Sequence, residues 1–437
     1  MTTTAEDLRD VHPGRQQFSL ALAVAATIPG ILIRIFDFHL SHPVEALLFG
    51  LAIVGAAFML SWAAEVAQLD ISAGLAIALL AFIAVLPEYA VDMVFAWKAG
   101  LAVAEYGPDC NPPGGVVASP CSLALANMTG ANRLLIGVGW SMVVFIAWYR
   151  TRARGRRFEA IELERPHSIE LAFLATATLY SLTLPLKSTI NLFDALVLVG
   201  IFVLYTIRIA SAPAEEPHLV GPARYIGGFP TRQRRLAVAL LFLFSATVIL
   251  LVAEHFAEAL VATGLALGVS EFLLVQWLAP LASEAPELLV AGLYAWRLNT
   301  AAGLGTLVSS KVNQWTLLVG TLPLVFAISS GGLSGLPVDA HQREELLLTA
   351  AQSVYAVAIL VSLSISTWEA LGLFGLFWLQ FILGAIVPPE WVLVERVGVS
   401  VLYLLLAGWI IARDRGRVPQ LLRDGFRTSH AELHAED

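Results

Sequence analysis

Ala279-Pro280-Leu281-Ala282-Ser283-Glu284-Ala285-Pro286-Glu287 sets two glutamates, two prolines and a serine in an otherwise apolar segment. Both residue types are costly there. A carboxylate left unpaired at the centre of a bilayer costs several kcal/mol or takes up a proton. Proline lacks an N–H and clashes with the preceding helical turn. An earlier stretch, Ile83-Ala84-Val85-Leu86-Pro87-Glu88, repeats the pattern. Pro87-Glu88 leads to Val91 and Ala96-Trp97-Lys98 with the spacing that leads from Pro286-Glu287 to Val290 and Ala295-Trp296-Arg297, an offset of 286 − 87 = 199 residues.

The setting is a membrane. Of 437 residues, 58% are hydrophobic and 14% charged, and the mean hydropathy is +0.76. Soluble domains run nearer to about 45–50% apolar and about 25% charged. Apolar runs of about 20 residues, enough to cross a hydrocarbon core of ~30 Å, recur along the chain. Twelve spans are predicted, at roughly 17–37, 44–67, 71–98, 117–149, 168–186, 190–210, 235–260, 264–297, 300–328, 344–364, 369–387 and 391–412. The first run, Phe18 to Phe36, is long for a signal-peptide core and lacks a clear cleavage site, so it reads as a retained span.

Orientation follows from arginine placement. Arg150, Arg152, Arg154, Arg156 and Arg157 fall in one connection, Arg224, Arg232 and Arg234 in a second, and Arg413, Arg415, Arg417, Arg423 and Arg427 in the tail. Twelve spans put all three on one side, the cytoplasmic one, together with both termini. The expected location is the plasma or inner membrane. Cys110 and Cys121 fall at the other face, where a disulfide and two free thiols are both open readings. Two cysteines exclude a multi-cysteine metal framework. The acidic end, Glu432 to Asp437, is expected to be a disordered tail. No phosphate-binding loop is present, so no ATPase or other enzyme is expected, and no cofactor or nucleic acid. The partners are the bilayer and inorganic cations, as a monomer or a homo-oligomer.

The two Pro-Glu copies sit in spans 71–98 and 264–297, which run in opposite directions. They are therefore inverted about an axis in the membrane plane, near which transporters place their substrate site. Proline frees backbone carbonyls that can coordinate a cation, and glutamate adds hard oxygens suited to calcium, sodium or a proton. Two hydrogen-bonded, protonated glutamates at proline kinks are the bland alternative.

With these motifs the chain resembles the sodium/calcium exchanger family of the wider cation/calcium antiporter superfamily. The resemblance implies a ten-helix core of two inverted five-helix repeats, with an extra helix at each end. Residues 1–43 would be the N-terminal tail and extra helix, 44–210 the first repeat, 211–234 a cytoplasmic connection, 235–387 the second repeat and 388–437 the last helix and tail. The family carries Gly-Thr-Ser-x-Pro-Glu on the second helix of each repeat and Gly-Asn-x-x-Gly-Ser-Asn-x-x-Asn, or a close variant, on the third. Glu88 and Glu287 match the glutamates that share the bound cation, and are the implied metal ligands. At the Thr-Ser positions the first repeat has Ala84 and Val85, and the second has Ser283 and Glu284. The third-helix motif reads Ala126-Asn127-Met128-Thr129-Gly130-Ala131-Asn132 in the first repeat, where Leu135 stands for the last polar residue. In the second it reads Gly305-Thr306-Leu307-Val308-Ser309-Ser310-Lys311-Val312-Asn313-Gln314. The implied cation-binding set is Glu88, Glu287, Glu284, Ser283, Ser310, Gln314, Asn127 and Thr306, with Lys311, Asp92 and Asn132 modulating it.

Lys311 departs most from the family pattern. One reading pairs its ammonium with Glu284 or Glu287 in place of a monovalent cation; the other turns it outward to snorkel. Asp92, one turn past Glu88, is open as a relay or as a helix–helix hydrogen bond. Arg133 is expected to meet a carboxylate, Glu65 to sit at the inner interface, and Glu271 in the outer entry region. Glu254, His255 and Glu258 either line an outer vestibule or mark a helix end. Trp97, Trp296, Trp391 and Trp409 suit interfacial belts. The resulting expectation is an all-α polytopic secondary antiporter exchanging calcium for sodium or protons by alternating access. A sodium/proton antiporter, or a transport-inactive sensor or scaffold, is the alternative.

Overall fold

The computed structural model describes residues 13–70, 86–110, 119–211, 219–268 and 270–434. Nearly everything described is helical. Helices α1 (Pro13–Phe36) and α2 (His42–Ala67) precede α3 (Leu86–Tyr106) and the long α4 (Pro120–Ala153). Then come α5 (Ser168–Ser181), α6 (Leu192–Ala210), the short α7 (Pro222–Gly227) and α8 (Thr231–Leu267). Next, α9 (Glu271–Ser283) and α10 (Ala285–Trp296) are followed by α11 (Thr300–Ser330), α12 (Ala340–Leu360), α13 (Thr367–Ile386) and α14 (Val392–Arg413). Two small helices, α15 (Arg417–Phe426) and α16 (His430–His434), close the chain.

Nine helices among the described residues are long and apolar enough to cross a membrane. The other three predicted spans correspond to α3, to the broken pair α9–α10 and to the more polar α12. Local signals explain many of the helix starts. Asn191 with Asp194, Asp339 with Gln342 and Ser366 with Glu369 form reciprocal capping boxes. Gly268 and Gly331, at φ 64° and 67°, end α8 and α11 in left-handed caps that a side chain would strain.

The packing is reciprocal. α3 packs on the first half of its own repeat's α4 and on the second half of α11 in the other repeat. α10 does the converse, packing on the first half of α11 and the second half of α4. The first helices of the repeats, α2 and α8, pack on each other. Two short antiparallel ladders repeat the exchange. β1 (Ala160–Glu162), before the fourth helix of the first repeat, pairs with β4 (Ser364–Ser366), after the fourth helix of the second. β2 (Thr189–Ile190), after the fourth helix of the first repeat, pairs with β3 (Leu336–Pro337), before the fourth helix of the second. An inverted pseudo-twofold does this: it swaps the repeats and the faces together.

Cross-chain contacts sort by face. Asp70–Arg234, Arg150–Trp296 and Arg165–Asp424 all lie on the arginine-rich side. Lys98–Glu258 and Gln342–Cys121 lie on the other. Cys110 and Cys121 form a disulfide there. The tail departs from expectation: Leu433 is buried, and Arg208 donates to the carbonyls of Gly425 and Thr428, so residues to 434 dock on the bundle. Residues 435–437, Ala84, Val85 and the rest of 71–85 lie outside the described residues, as does the Glu271 side chain.

Candidate functional site: a carboxylate cluster where the repeats cross

The second Pro-Glu pair opens a helix rather than bending one in its middle. Ala285-Pro286-Glu287 is the start of α10, and Leu86-Pro87-Glu88 are the first described residues of α3. Proline fits there because the first N–H groups of a helix need no helical partner. The same position puts Glu287 at the positive end of a helix dipole, which favours negative charge. Glu284 is the break between α9 and α10. Its N–H donates to Pro280 O at 2.8 Å, closing α9, and its carbonyl accepts from Leu288 N at 3.1 Å, opening α10.

Gln314 joins the repeats. It sits where α11 widens into a π-turn, Gln314–Leu318, matched in α4 by the π-turn Leu135–Trp140. Such single wide turns re-aim side chains and recur at functional sites. The Gln314 amide donates to Glu88 Oε1 at 3.4 Å and, more closely, to Glu284 Oε1. Glu88, Glu284 and Gln314 are buried, and Glu287 is half-buried. The three carboxylates lie within electrostatic reach of one another. One oxygen of Glu284, one of Glu287 and the amide oxygen of Gln314 are buried with no hydrogen-bond partner among the described residues. Buried polar atoms are normally paired, so this acceptor surplus fits a cation or protons. No three His, Cys, Asp or Glu side chains among the described residues stand at metal-ligand spacing. The glutamates are held apart, with an amide between two of them.

The other predicted residues are placed differently. Asn127 donates to Asp92 Oδ1 at 2.9 Å, a fully buried helix–helix bond one turn outward from Glu88. The Ser283 hydroxyl turns back on its own helix, to Ala279 O at 3.1 Å and Pro280 O at 3.3 Å. Thr306 does the same with Ala302 O at 2.8 Å. Ser310 is half-buried and makes no hydrogen bond to the cluster among the described residues. Hydroxyls within a helix commonly satisfy themselves on the preceding turn, so these three do not join the carboxylates.

Lys311 neither snorkels nor pairs directly. It is fully buried, and no carboxylate among the described residues lies within ion-pair distance. Its ammonium donates to Asn132 O and to Asn132 Oδ1 at 2.6 Å, and lies 5.5 Å from the Trp315 ring. Rotation of α11 aims it across the bundle at α4, leaving Glu284 and Glu88 as electrostatic neighbours.

Arg133 meets a carboxylate as expected, in a network not foreseen. It donates to Glu345 at 2.6 Å and to Gln380, and stacks 5.0 Å from Trp277. Arg396 reaches Glu345 at 3.1 Å and Glu344 at 3.0 Å, and Gln276 reaches Glu345 at 2.9 Å. A glutamate pair and amides inside apolar segments were the available signal. Glu65 accepts from Val220 N at 3.4 Å near the end of α2 on the arginine-rich side. His255 and Glu258 lie about three turns before α8 ends and line a cavity of about 230 Å³ on the face opposite the arginine-rich one, so they do not mark a helix end. Trp97, Trp296, Trp391 and Trp409 are exposed.

Inverted five-helix repeats crossing at buried carboxylates define a membrane-embedded secondary cation antiporter. A family model described as sodium/calcium exchanger protein matches residues 43–210 and 237–385, and the chain belongs to that family. It is similar to a crystal structure of the H+/Ca2+ exchanger CAX, with 41% identity over 97% of this chain and 100% of that one and a TM-score of 0.85. It is also similar to native YfkE at 13% identity, over 89% of this chain and 100% of that one, with a TM-score of 0.57, a likeness of fold alone. No curated protein matches the chain.

Proposed function

We propose that this antiporter exchanges calcium for protons at Glu88, Glu284 and Glu287, with Gln314 completing the site. The observation that carries the reading is the Gln314 amide between Glu88 and Glu284, beside buried oxygens without hydrogen-bond partners among the described residues. Carboxylate and amide oxygens are ligands for calcium, and carboxylates also take protons. Ionised glutamates with neither would leave several charges in the bilayer core, which is costly. Neutralisation by calcium or by protons therefore permits the change of access, and the bare site resists it. Gln314 offers an N–H to a carboxylate and an oxygen to a cation. The 41% identical CAX is described as an H+/Ca2+ exchanger, which favours protons over sodium as the counter-ion.

The arginine-rich face is the cytoplasmic one, which puts both termini inside a plasma or inner membrane. The test is purified protein in liposomes, with calcium uptake followed under an imposed pH gradient and then under a sodium gradient. Uptake driven by protons is expected. Uptake under the sodium gradient alone, or under neither, sinks the reading.

A further inference from the structure

The fourth helices of the two repeats carry matching glutamates. The capping boxes that follow them, at Asn191 and Ser366, fix an offset of 366 − 191 = 175 residues. Tyr180 and Tyr355 keep that offset, and so do Glu170 of α5 and Glu345 of α12 (345 − 170 = 175). Their surroundings differ. Glu345 is enclosed by Arg133, Arg396 and Gln276. The third-helix motifs, 126–132 and 305–311, are offset by 305 − 126 = 179, so Val312 of α11 stands where α4 has Arg133. Tyr205 stands where the second repeat has Gln380 (380 − 205 = 175).

Among the described residues no arginine reaches Glu170. Arg165 is turned to Asp424, and Arg208 to the carbonyls of Gly425 and Thr428. The ionisable side chain within ion-pair distance is His167, at 3.7 Å, too far for a hydrogen bond. The Gly305 backbone makes room for its ring, since a Cβ there would lie 2.5 Å from His167 Cε1. One Glu170 oxygen is buried with no hydrogen-bond partner among the described residues, while 15% of the side chain stays exposed. Deeper in, the buried Tyr205 hydroxyl lies 3.0 Å from Ser309 Oγ and within electrostatic reach of Glu170. Ser168 and Thr178 of α5 add two buried hydroxyls that have no hydrogen-bond partner among the described residues. Ser309 precedes Gln314 by 314 − 309 = 5 residues, and α5 packs on the π-turn that begins at Gln314.

A carboxylate in a low-dielectric wall, opposed by no fixed positive charge, draws mobile cations to it. The arginine-rich face needs such a group, because its basic connections repel calcium. Resting on the calcium–proton reading above, we propose that Glu170 is a calcium entry site on that face. It passes the ion along the Tyr205 and Ser309 oxygens to Gln314 and the carboxylate cluster. Its counterpart Glu345 is held in a structural ion pair and offers no such site on the opposite face.

Calcium presented to one face at a time of oriented proteoliposomes tests this. Uptake is driven by an opposing pH gradient, and the half-saturating calcium concentration is measured on each face. Glu170→Gln should raise it about tenfold on the arginine-rich face, the lower end of what electrostatic focusing in a cleft gives. On the opposite face it should stay at the wild-type value, which a merely structural loss would not spare. Equal rises on both faces, or none on the arginine-rich face, overturns the inference while leaving calcium–proton exchange standing. No proton-driven uptake by the wild-type protein sinks the exchange reading, and this inference with it. Should Glu170→Gln fail to fold, Tyr205→Phe, which keeps the ring and removes the hydroxyl, decides by the same comparison of faces.

Discussion

Arg133 and Glu345, 212 residues apart, form a 2.6 Å ion pair with both side chains almost wholly enclosed. The pair ties the third helix of the first repeat to the fourth of the second. Arg396 brings the extra helix α14 to the same carboxylate. Removing one partner strands a buried charge, which costs about 3–5 kcal/mol. Glu345→Gln should therefore lower the thermal midpoint of the detergent-solubilised protein sharply. Glu344→Gln, whose carboxylate is the more exposed, should lower it less. Equal midpoints for the two variants would contradict this account.

Gln314 has Leu135 as its counterpart, 179 residues earlier. Gln314→Leu therefore makes the two π-turns alike while removing the amide between Glu88 and Glu284. Loss of a partner that orients metal ligands typically costs about 10–100-fold in affinity. The half-saturating calcium concentration for uptake should rise by that order, with the midpoint of unfolding little changed. An unaltered calcium dependence would remove Gln314 from the site.

The Cys110–Cys121 disulfide closes a short loop on the face opposite the arginine-rich one. Cross-links of loops this short stabilise by roughly 3 kcal/mol or less, mainly by restricting the unfolded chain. Denatured, unreduced protein should show no titratable thiol. Cys110→Ser with Cys121→Ser should unfold at a lower temperature and still transport calcium. Two reactive thiols in fresh protein would refute the bridge.

Asp70, in the turn after α2, accepts hydrogen bonds from Arg234 at 2.7 and 2.8 Å, and these hold its carboxyl below the usual carboxylate range. A lowered folded value means stabilisation that is complete above the unfolded value of about 3.9 and lost as pH falls through the folded one. The midpoint difference between wild type and Asp70→Asn should therefore be constant near neutrality and vanish in that acid range. The pair is partly solvated, so the effect should be small. A difference that grew with acidification would reverse the assignment.

The repeat was legible because its signal is local: Pro-Glu with fixed spacing to Val and Ala-Trp survives at 88 and 287. The carboxylates of the site followed from it. Helix rotation was not legible. An amphipathic pattern fixes it in soluble helices, but α11 is enclosed almost all round, so nothing in the chain told whether Lys311 faced Glu284, Asn132 or lipid. The π-turns were equally hidden, since the choice of a wide turn is made by packing at the crossing. Ser283 and Thr306 matched or stood in for motif positions, yet each hydroxyl found a carbonyl one turn back. Arg133 needed a partner 212 residues away, and sequence spacing says nothing over that distance. The tail misled for a different reason. Glu432 to Asp437 reads as an acidic end, but Leu433 within it is buried against the protein.

The two ladders carry a topological constraint. β1 must meet β4, and β2 must meet β3. Two strands can pair only on the same side of a bilayer, so the chain must cross an even number of times between residues 162 and 364, and again between 190 and 336. Gain or loss of a single crossing within either interval would strand partners on opposite sides. Helices can be added singly only outside both intervals, where α1 and α14 are found. The ladders act as a parity check on insertion. They are blind to absolute direction, which the arginine-rich connections alone decide.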